Sequence, residues 1–132
     1  MEKPKFNHGS INWRDISVPD AKNLKDFYQK ITNWNVDEIP MKDDENEYSD
    51  YLMKSEDGIP MAGICNQRGT NQDIPSGWIM YISVENVQES VAKAVSLGAE
   101  IIKEQIHKDG SIYYAILKDP NGNLFGLART QF

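Results

Sequence analysis

At 132 residues the chain can bury one hydrophobic core, and we expect a single domain over residues 1–132. Its 39% hydrophobic and 26% charged residues are typical of a globular protein, and its net charge of −6 argues against nucleic-acid binding. No apolar run is long enough for a membrane span, the N-terminus lacks a secretory signal, and the single Cys65 cannot form an internal disulfide. We therefore expect a cytoplasmic protein with no membrane partner.

The first half of the chain has the pattern of a strand, a helix and three further strands, which we place in residues 10–67. An apolar run ends at Val18, and Asp20 follows in the position of a helix N-cap. Four apolar residues then recur at the spacing of one helical stripe: Leu24, Phe27, Tyr28 and Ile31. The acidic stretch Lys42–Glu47 is expected to be a solvated loop.

A second unit of the same kind is predicted at residues 78–130, joined to the first by a polar linker at residues 68–77 that is rich in Gly, Asn and Pro. Its helix has Asn86 as the expected N-cap and Gly98 as the expected residue just beyond the C-cap. The apolar stripe of this helix consists of Val87, Val91, Ala94 and Val95.

Two turns are predicted in this second half. Lys108–Gly110 separates the β-rich runs Glu100–Ile106 and Ser111–Lys118, which is the pattern of a hairpin. Asp119–Asn123 is a second tight turn, in which a glycine can adopt a positive φ.

The two halves repeat each other. The run Ile16–Val18 recurs as Ile82–Val84, and Tyr51–Gly58 aligns with Ala115–Gly122 in the same order. Either match could arise by chance, but both together indicate an internal duplication.

Several segments carry a family likeness: Trp13–Asp20 with Phe27-Tyr28, Leu97–Glu100 and, above all, Asp119–Leu127. In them the chain resembles the vicinal oxygen chelate superfamily of glyoxalases, bleomycin-resistance proteins and extradiol dioxygenases. The resemblance implies an α+β fold in which two tandem βαβββ modules form an eight-stranded, partly open barrel-like sheet around a cavity. It implies little about activity, because one fold hosts many functions.

Metal-dependent members of this superfamily hold an ion with His, Gln or Glu on the first and last strands of each module. The resemblance places the equivalent positions of this chain at Trp13, Ala62, Ile79 and Gly126. A register shift of one residue would replace Ala62 by Gly63, which is no better as a ligand. His8 and His107 are interpreted as surface residues. We therefore expect no metal and no other cofactor.

Strand alternation predicts which side chains line the cavity. If Trp13 and Ile79 point inward, then Asp15 and Tyr81 do so as well, whereas Met80 faces the core. The orientation of the strands that contain Met53 and Tyr113 stays open. The expected ligand-binding residues are Trp13, Asp15, Met53, Ala62, Ile64, Ile79, Tyr81, Tyr113 and Gly126.

Asp15 is the one candidate for a catalytic residue. As an inward carboxylate it could act as a general base, or bind a cationic or hydroxyl-bearing ligand. The alternative is a solvated carboxylate at an open cavity mouth. Cys65 is expected on the helix-facing side as a buried structural thiol.

These features lead to a first hypothesis and two alternatives. The first is a metal-independent protein of the glyoxalase/bleomycin-resistance type that holds an aromatic or amphipathic small molecule between the two modules. The second is a metal-dependent lyase, isomerase or dioxygenase of the same superfamily. The third is a regulatory or protein-interaction module with a collapsed cavity. Exposed edge strands are compatible with a homodimer.

Overall fold

The part of the chain that this computed structural model describes, residues 7–129, contains eight β-strands and two α-helices. In chain order they are β1 (Ile11–Val18), α1 (Ala21–Thr32), β2 (Asn35–Asp43), β3 (Asn46–Lys54), β4 (Pro60–Asn66), β5 (Trp78–Ser83), α2 (Val87–Ser96), β6 (Glu100–Ile106), β7 (Ile112–Lys118) and β8 (Leu124–Ala128). The order is βαβββ twice, so the predicted α+β class is confirmed. Neither helix is long and apolar enough to cross a membrane.

The structure divides into two compact units. The first unit is Arg14–Trp78, and the second comprises, among the described residues, 7–13 and 79–129. The first unit therefore holds α1 and β2–β4 with most of β1, and the second holds α2 and β6–β8 with most of β5.

In the first unit the strands lie in the order β2-β3-β4-β1. Neighbours among β2, β3 and β4 are antiparallel, whereas β1 runs parallel to β4, with Asp15 opposite Gly63 and Ile16 opposite Ile64. The side of this sheet that faces α1 buries one apolar cluster: Ile16, Ala21, Tyr51, Met53 and Ile64. Removing these side chains from water is what holds the helix on the sheet.

Helix α1 begins at the predicted cap. The Asp20 carboxylate accepts a hydrogen bond from the backbone N–H of Asn23 at 3.2 Å, which satisfies one of the free N–H groups of the first turn. The apolar stripe is only partly buried, however. Leu24 and Tyr28 pack against the core, while Phe27 and Ile31 remain 54% and 63% exposed.

In the second unit the strands lie in the order β5-β8-β7-β6. Strand β5 runs parallel to β8, with Tyr81 opposite Gly126, and the other neighbours are antiparallel. The side that faces α2 buries a second cluster: Val84, Val87, Val91, Ala115, Leu117 and Leu127. The backbone N–H of Glu89 donates to the Asn86 side chain at 3.0 Å, so the predicted N-cap of α2 is confirmed. Gly98 follows the helix with a φ of 105°, which favours glycine.

Both predicted turns of the second half are confirmed. Lys108–Gly110 lies between β6 and β7. In the second turn the Asp119 carboxylate accepts hydrogen bonds from the backbone N–H groups of Asn121 at 2.8 Å and Asn123 at 3.0 Å. These bonds lower the pKa of Asp119 from its ordinary value, the backbone bond from Asn123 most strongly.

Most of the stretch Lys42–Glu47 is exposed as expected, but the expectation that it forms a loop is wrong. Strand β2 continues to Asp43 and β3 begins at Asn46, so the two strands pair almost to the tip of a hairpin. Cross-strand hydrogen bonds keep this acidic stretch extended, and Arg68 adds an ion pair to Asp43, with an N–O distance of 2.9 Å.

Candidate functional site

The second unit has a largely apolar sheet face on the side turned away from α2. Ile82 and Leu127 pack toward α2, so the residues that alternate with them along β5 and β8 point to the other side. The cross-strand register adds residues of β7 to the same side. We call this surface the apolar face, and it includes, beside the buried polar Ser83, the residues Ile79, Tyr81, Tyr114, Ile116, Gly126 and Ala128.

Three predicted site residues, Ile79, Tyr81 and Gly126, lie on this apolar face. The prediction that they share a side turned away from the helix is confirmed, and their contact with a ligand stays a prediction. Met80, which alternates with them, was expected in the core, and this is wrong, because its side chain is exposed.

The closest packing on the apolar face is between Tyr81 and Gly126. A Cβ atom added at Gly126 would stand 2.3, 2.5 and 2.9 Å from three atoms of the Tyr81 ring, distances that real Cβ contacts do not reach. The ring is buried, and its centroid lies 6.1 Å from that of Tyr114 in an edge-to-face arrangement. The aromatic ring therefore fills the space that a side chain at position 126 would need.

The residues at the positions that the resemblance implies for metal ligands do not fit a metal ion. Trp13, Ala62, Ile79 and Gly126 supply no imidazole or carboxylate, and the Tyr81 ring closes the space at Gly126. Within residues 7–129 no group of three or more His, Cys, Asp or Glu side chains could hold a metal.

The two histidines lie near the N-terminal end of α2. His8 Nδ1 accepts a hydrogen bond from the backbone N–H of Glu85 at 3.2 Å. The centroid of the His107 ring lies 5.0 Å from that of the Tyr113 ring. Each imidazole thus has a local partner in the second unit.

The first unit has a polar sheet face on the side turned away from α1. Ile16 packs toward α1, so its neighbours Asp15 and Ser17 point to the opposite side, where they pair with Gly63 and Cys65. The predicted orientation of Asp15 away from the helix is therefore confirmed. Its role as a base or as a ligand contact stays a prediction.

Asp50 is a second carboxylate on this polar face, and it is not among the site residues predicted from the sequence. Its buried side chain accepts hydrogen bonds from the backbone N–H of Asn66 at 2.9 Å and from the Asn66 amide at 3.1 Å. Leu52 pairs with Gly63, which puts Asp50, two residues earlier on β3, on the same side as Asp15. The alternation of Asp50 and Leu52 with Tyr51 and Met53 was the available signal.

Three predicted cavity residues lie on the wrong side of the sheet for that role: Met53, Ala62 and Ile64. Ile64 pairs with Ile16 and Ala62 pairs with Met53, so all three turn toward α1. For Ala62 and Ile64 the cause is a register shift opposite Met53 and Lys54, which moves β4 by one residue relative to the internal repeat. Gly63, opposite Asp15, is the counterpart of Gly126, opposite Tyr81.

Tyr113 is also displaced from its expected position. A register shift opposite this end of β7, between Gln105 and Ile106, interrupts the alternation of its side chains. Tyr113 lines a pocket of about 530 Å³ together with Val87 and His107, and its ring centroid lies 5.7 Å from that of Tyr114. Tyr114 takes the place on the apolar face that was expected for Tyr113.

Cys65 was expected to face the helix, and this is wrong, because Cys65 pairs with Ser17 on the polar face. Burial raises the pKa of the Cys65 thiol well above its ordinary value, and the charges of Asp50 and Asp15 raise it further. The thiol is therefore protonated at neutral pH and weakly nucleophilic.

We expect Cys65 to react with Ellman's reagent at mildly alkaline pH at least ~10-fold more slowly in the folded chain than in urea, because the thiolate is the reactive species. The measurement is the rate of nitrothiobenzoate release, and the urea-unfolded chain is its own control, since Cys65 is the sole cysteine. Equal rates in the two states would contradict the raised pKa.

A family model described as a glyoxalase-like domain matches residues 14–128. The chain is also 26% identical over 127 residues to the CFP32 proteins of Mycobacterium tuberculosis and Mycobacterium bovis, which are named as candidate glyoxylases. The match covers 96% of this chain and 48% of either relative, so the chain spans about half the length of the curated relatives it matches.

Solved structures of similar fold include a methylmalonyl-CoA epimerase variant from Streptomyces coelicolor in complex with 2-nitronate-propionyl-CoA. It has a TM-score of 0.52 and 14% identity, covering 92% of this chain and 96% of that chain. A hypothetical protein from Bacillus halodurans has a TM-score of 0.51, also at 14% identity, with coverages of 92% and 94%. At such low identity the likeness establishes the glyoxalase/bleomycin-resistance fold and leaves the activity open.

Proposed function

Because the chain belongs to the family of glyoxalase-like domains, we propose that it binds a small aromatic or amphipathic molecule and does so without a metal ion. The observation that carries this proposal is the packing of the Tyr81 ring over Gly126. A buried aromatic side chain occupies the space that a metal ligand at position 126 would need, and it makes that space apolar.

The chemistry of the apolar face supports binding of this kind. Tyr81 and Tyr114 pack edge to face, and Tyr114 is the less buried of the two, so an aromatic ligand would reach this face against the ring of Tyr114. The two phenol side chains share this face with the apolar side chains of Ile79 and Ile116. Small-molecule sites in proteins commonly combine apolar walls with a few polar groups in this way.

The competing function is a metal-dependent lyase, isomerase or dioxygenase. The CFP32 relatives are named as candidate glyoxylases and one structural neighbour is an epimerase, so enzymatic chemistry is present among similar proteins. Such a function would require metal ligands at positions other than those implied by the resemblance.

Metal content separates the two functions. Purified chain would be dialysed against nickel, zinc, iron and manganese, and the retained metal would be measured by elemental analysis. We expect well below about 0.1 equivalent, because a protein metal site needs three or four converging ligands. Retention of close to one equivalent would overturn the metal-free function.

Ligand binding is tested with naphthol, a neutral aromatic alcohol, by isothermal titration calorimetry. We expect Tyr114→Ala to weaken binding about 5- to 10-fold through the loss of a ring contact. Phe27→Ala is the control, since it removes an exposed ring from α1 in the first unit, and it should leave the affinity unchanged. Absence of binding, or equal losses in both variants, would count against the apolar face as the site.

A further inference from the structure

A separate pocket lies on the helix side of the first unit, with a volume of about 300 Å³. Arg14 comes directly before the pair Asp15–Gly63 and therefore lies on the same side as Ile16, toward α1. The pocket is thus on the opposite side of the sheet from the polar face. We call it the helix-side pocket, and it is lined by Arg14, Tyr28, Trp34, Met61, Ala62 and Trp78.

Three aromatic side chains form the walls of this pocket. The rings of Tyr28 and Trp34 are stacked, with centroids 6.1 Å apart and planes 28° apart. The ring centroids of Trp78 and Tyr28 lie 5.4 Å apart in an edge-to-face arrangement. The indole N–H of Trp78 donates a hydrogen bond to the Tyr28 hydroxyl at 3.0 Å. This bond fixes the orientation of Trp78, which is still 37% exposed. Flat, oriented walls of this kind favour a planar ligand.

Arg14 brings a positive charge to these apolar walls. Its Nε–H donates to the backbone carbonyl of Met61 at 2.9 Å, which fixes the plane of the guanidinium group. No carboxylate in residues 7–129 forms an ion pair with Arg14. A guanidinium presents further N–H donors in a planar fork that matches a carboxylate. The group is therefore oriented and charged, and its natural complement is an anion.

We infer that the helix-side pocket is a second ligand site, for a small planar aromatic carboxylate whose ring lies against Trp34 and Trp78 and whose carboxylate meets Arg14. A cationic ligand would be repelled by Arg14, and a neutral one would leave its charge without a partner. The volume, at the lower end of the range for ligand pockets, suits a molecule of one or two rings.

The test compares naphthoate with naphthol, which share a ring system and differ in charge. Binding would be followed by quenching of tryptophan fluorescence, since Trp34 and Trp78 line the pocket. We expect naphthoate to bind at this site and Arg14→Gln to weaken it at least ~10-fold, as for the loss of a charge-assisted hydrogen bond. The same substitution should leave naphthol affinity unchanged.

Two further variants make the test decisive. Lys22→Gln removes an exposed positive charge from α1 and should leave naphthoate affinity unchanged. Trp78→Leu changes an exposed wall of the pocket and should weaken naphthoate binding. If Arg14→Gln does not fold, the result for Trp78→Leu tests the helix-side pocket in its place. The inference is overturned if naphthoate gives no saturable quenching, if both folded pocket variants bind it like the parent chain, or if Lys22→Gln weakens it as much.

Discussion

Replacing Gly126 by alanine should lower the free energy of unfolding by about 3 kcal/mol, because the added methyl group would overlap the Tyr81 ring. Tyr81 cannot move aside easily, since its side chain is only 4% exposed and packs against Tyr114. The measurement is the shift of the urea unfolding midpoint at unchanged slope, which reports a change in stability.

A double-mutant cycle with Tyr81→Ala provides the control for this prediction. Once the ring is removed, the methyl group at Gly126 has free space, and its cost should fall below about 1 kcal/mol. A cost that stays the same in both backgrounds would mean that the strain at Gly126 arises from something other than the Tyr81 ring.

The same contact bears on the proposed function. A metal ligand at Gly126 could be accommodated only if Tyr81 were also changed, so two substitutions separate this chain from a metal-binding arrangement at that position. The Tyr81 ring is therefore part of the apolar face and also an obstacle to metal binding at Gly126.

The local features of the fold could be predicted because their signals lie within a few residues. Asp20 and Asn86 cap helices through hydrogen bonds to backbone N–H groups three residues ahead. The Asp119 turn is likewise closed by bonds within four residues. The side assignments of β1 and β5 also followed from simple alternation.

The side assignment of β4 could not be predicted in this way. Side chains alternate along a strand, so one extra residue reverses the side of every residue after it. The register shift opposite Met53 and Lys54 has this effect on the rest of β4. A bulge has no clear signature in one sequence. Its consequence is that Gly63, and not Ala62, lies on the same side as Asp15.

The helix-side pocket was missed for a different reason. Its aromatic contact joins Tyr28 and Trp78, which are 50 residues apart in the chain. No periodic pattern connects them, and Trp78 stands at the start of a strand whose other residues were assigned by alternation. Contacts of this kind depend on how the helix docks on the sheet, and only the tertiary structure shows them.

Met53→Ala should destabilise the chain by about 3 kcal/mol, because the side chain is fully buried in the α1 cluster and its removal leaves a cavity. Leu52→Ala is the matched control: this neighbour on β3 is half-buried on the opposite side of the sheet and should cost about 1 kcal/mol. Urea unfolding measures both values. A larger loss for Leu52 than for Met53 would contradict the side assignment of β3, whereas the expected order identifies Met53 as a core residue of the first unit.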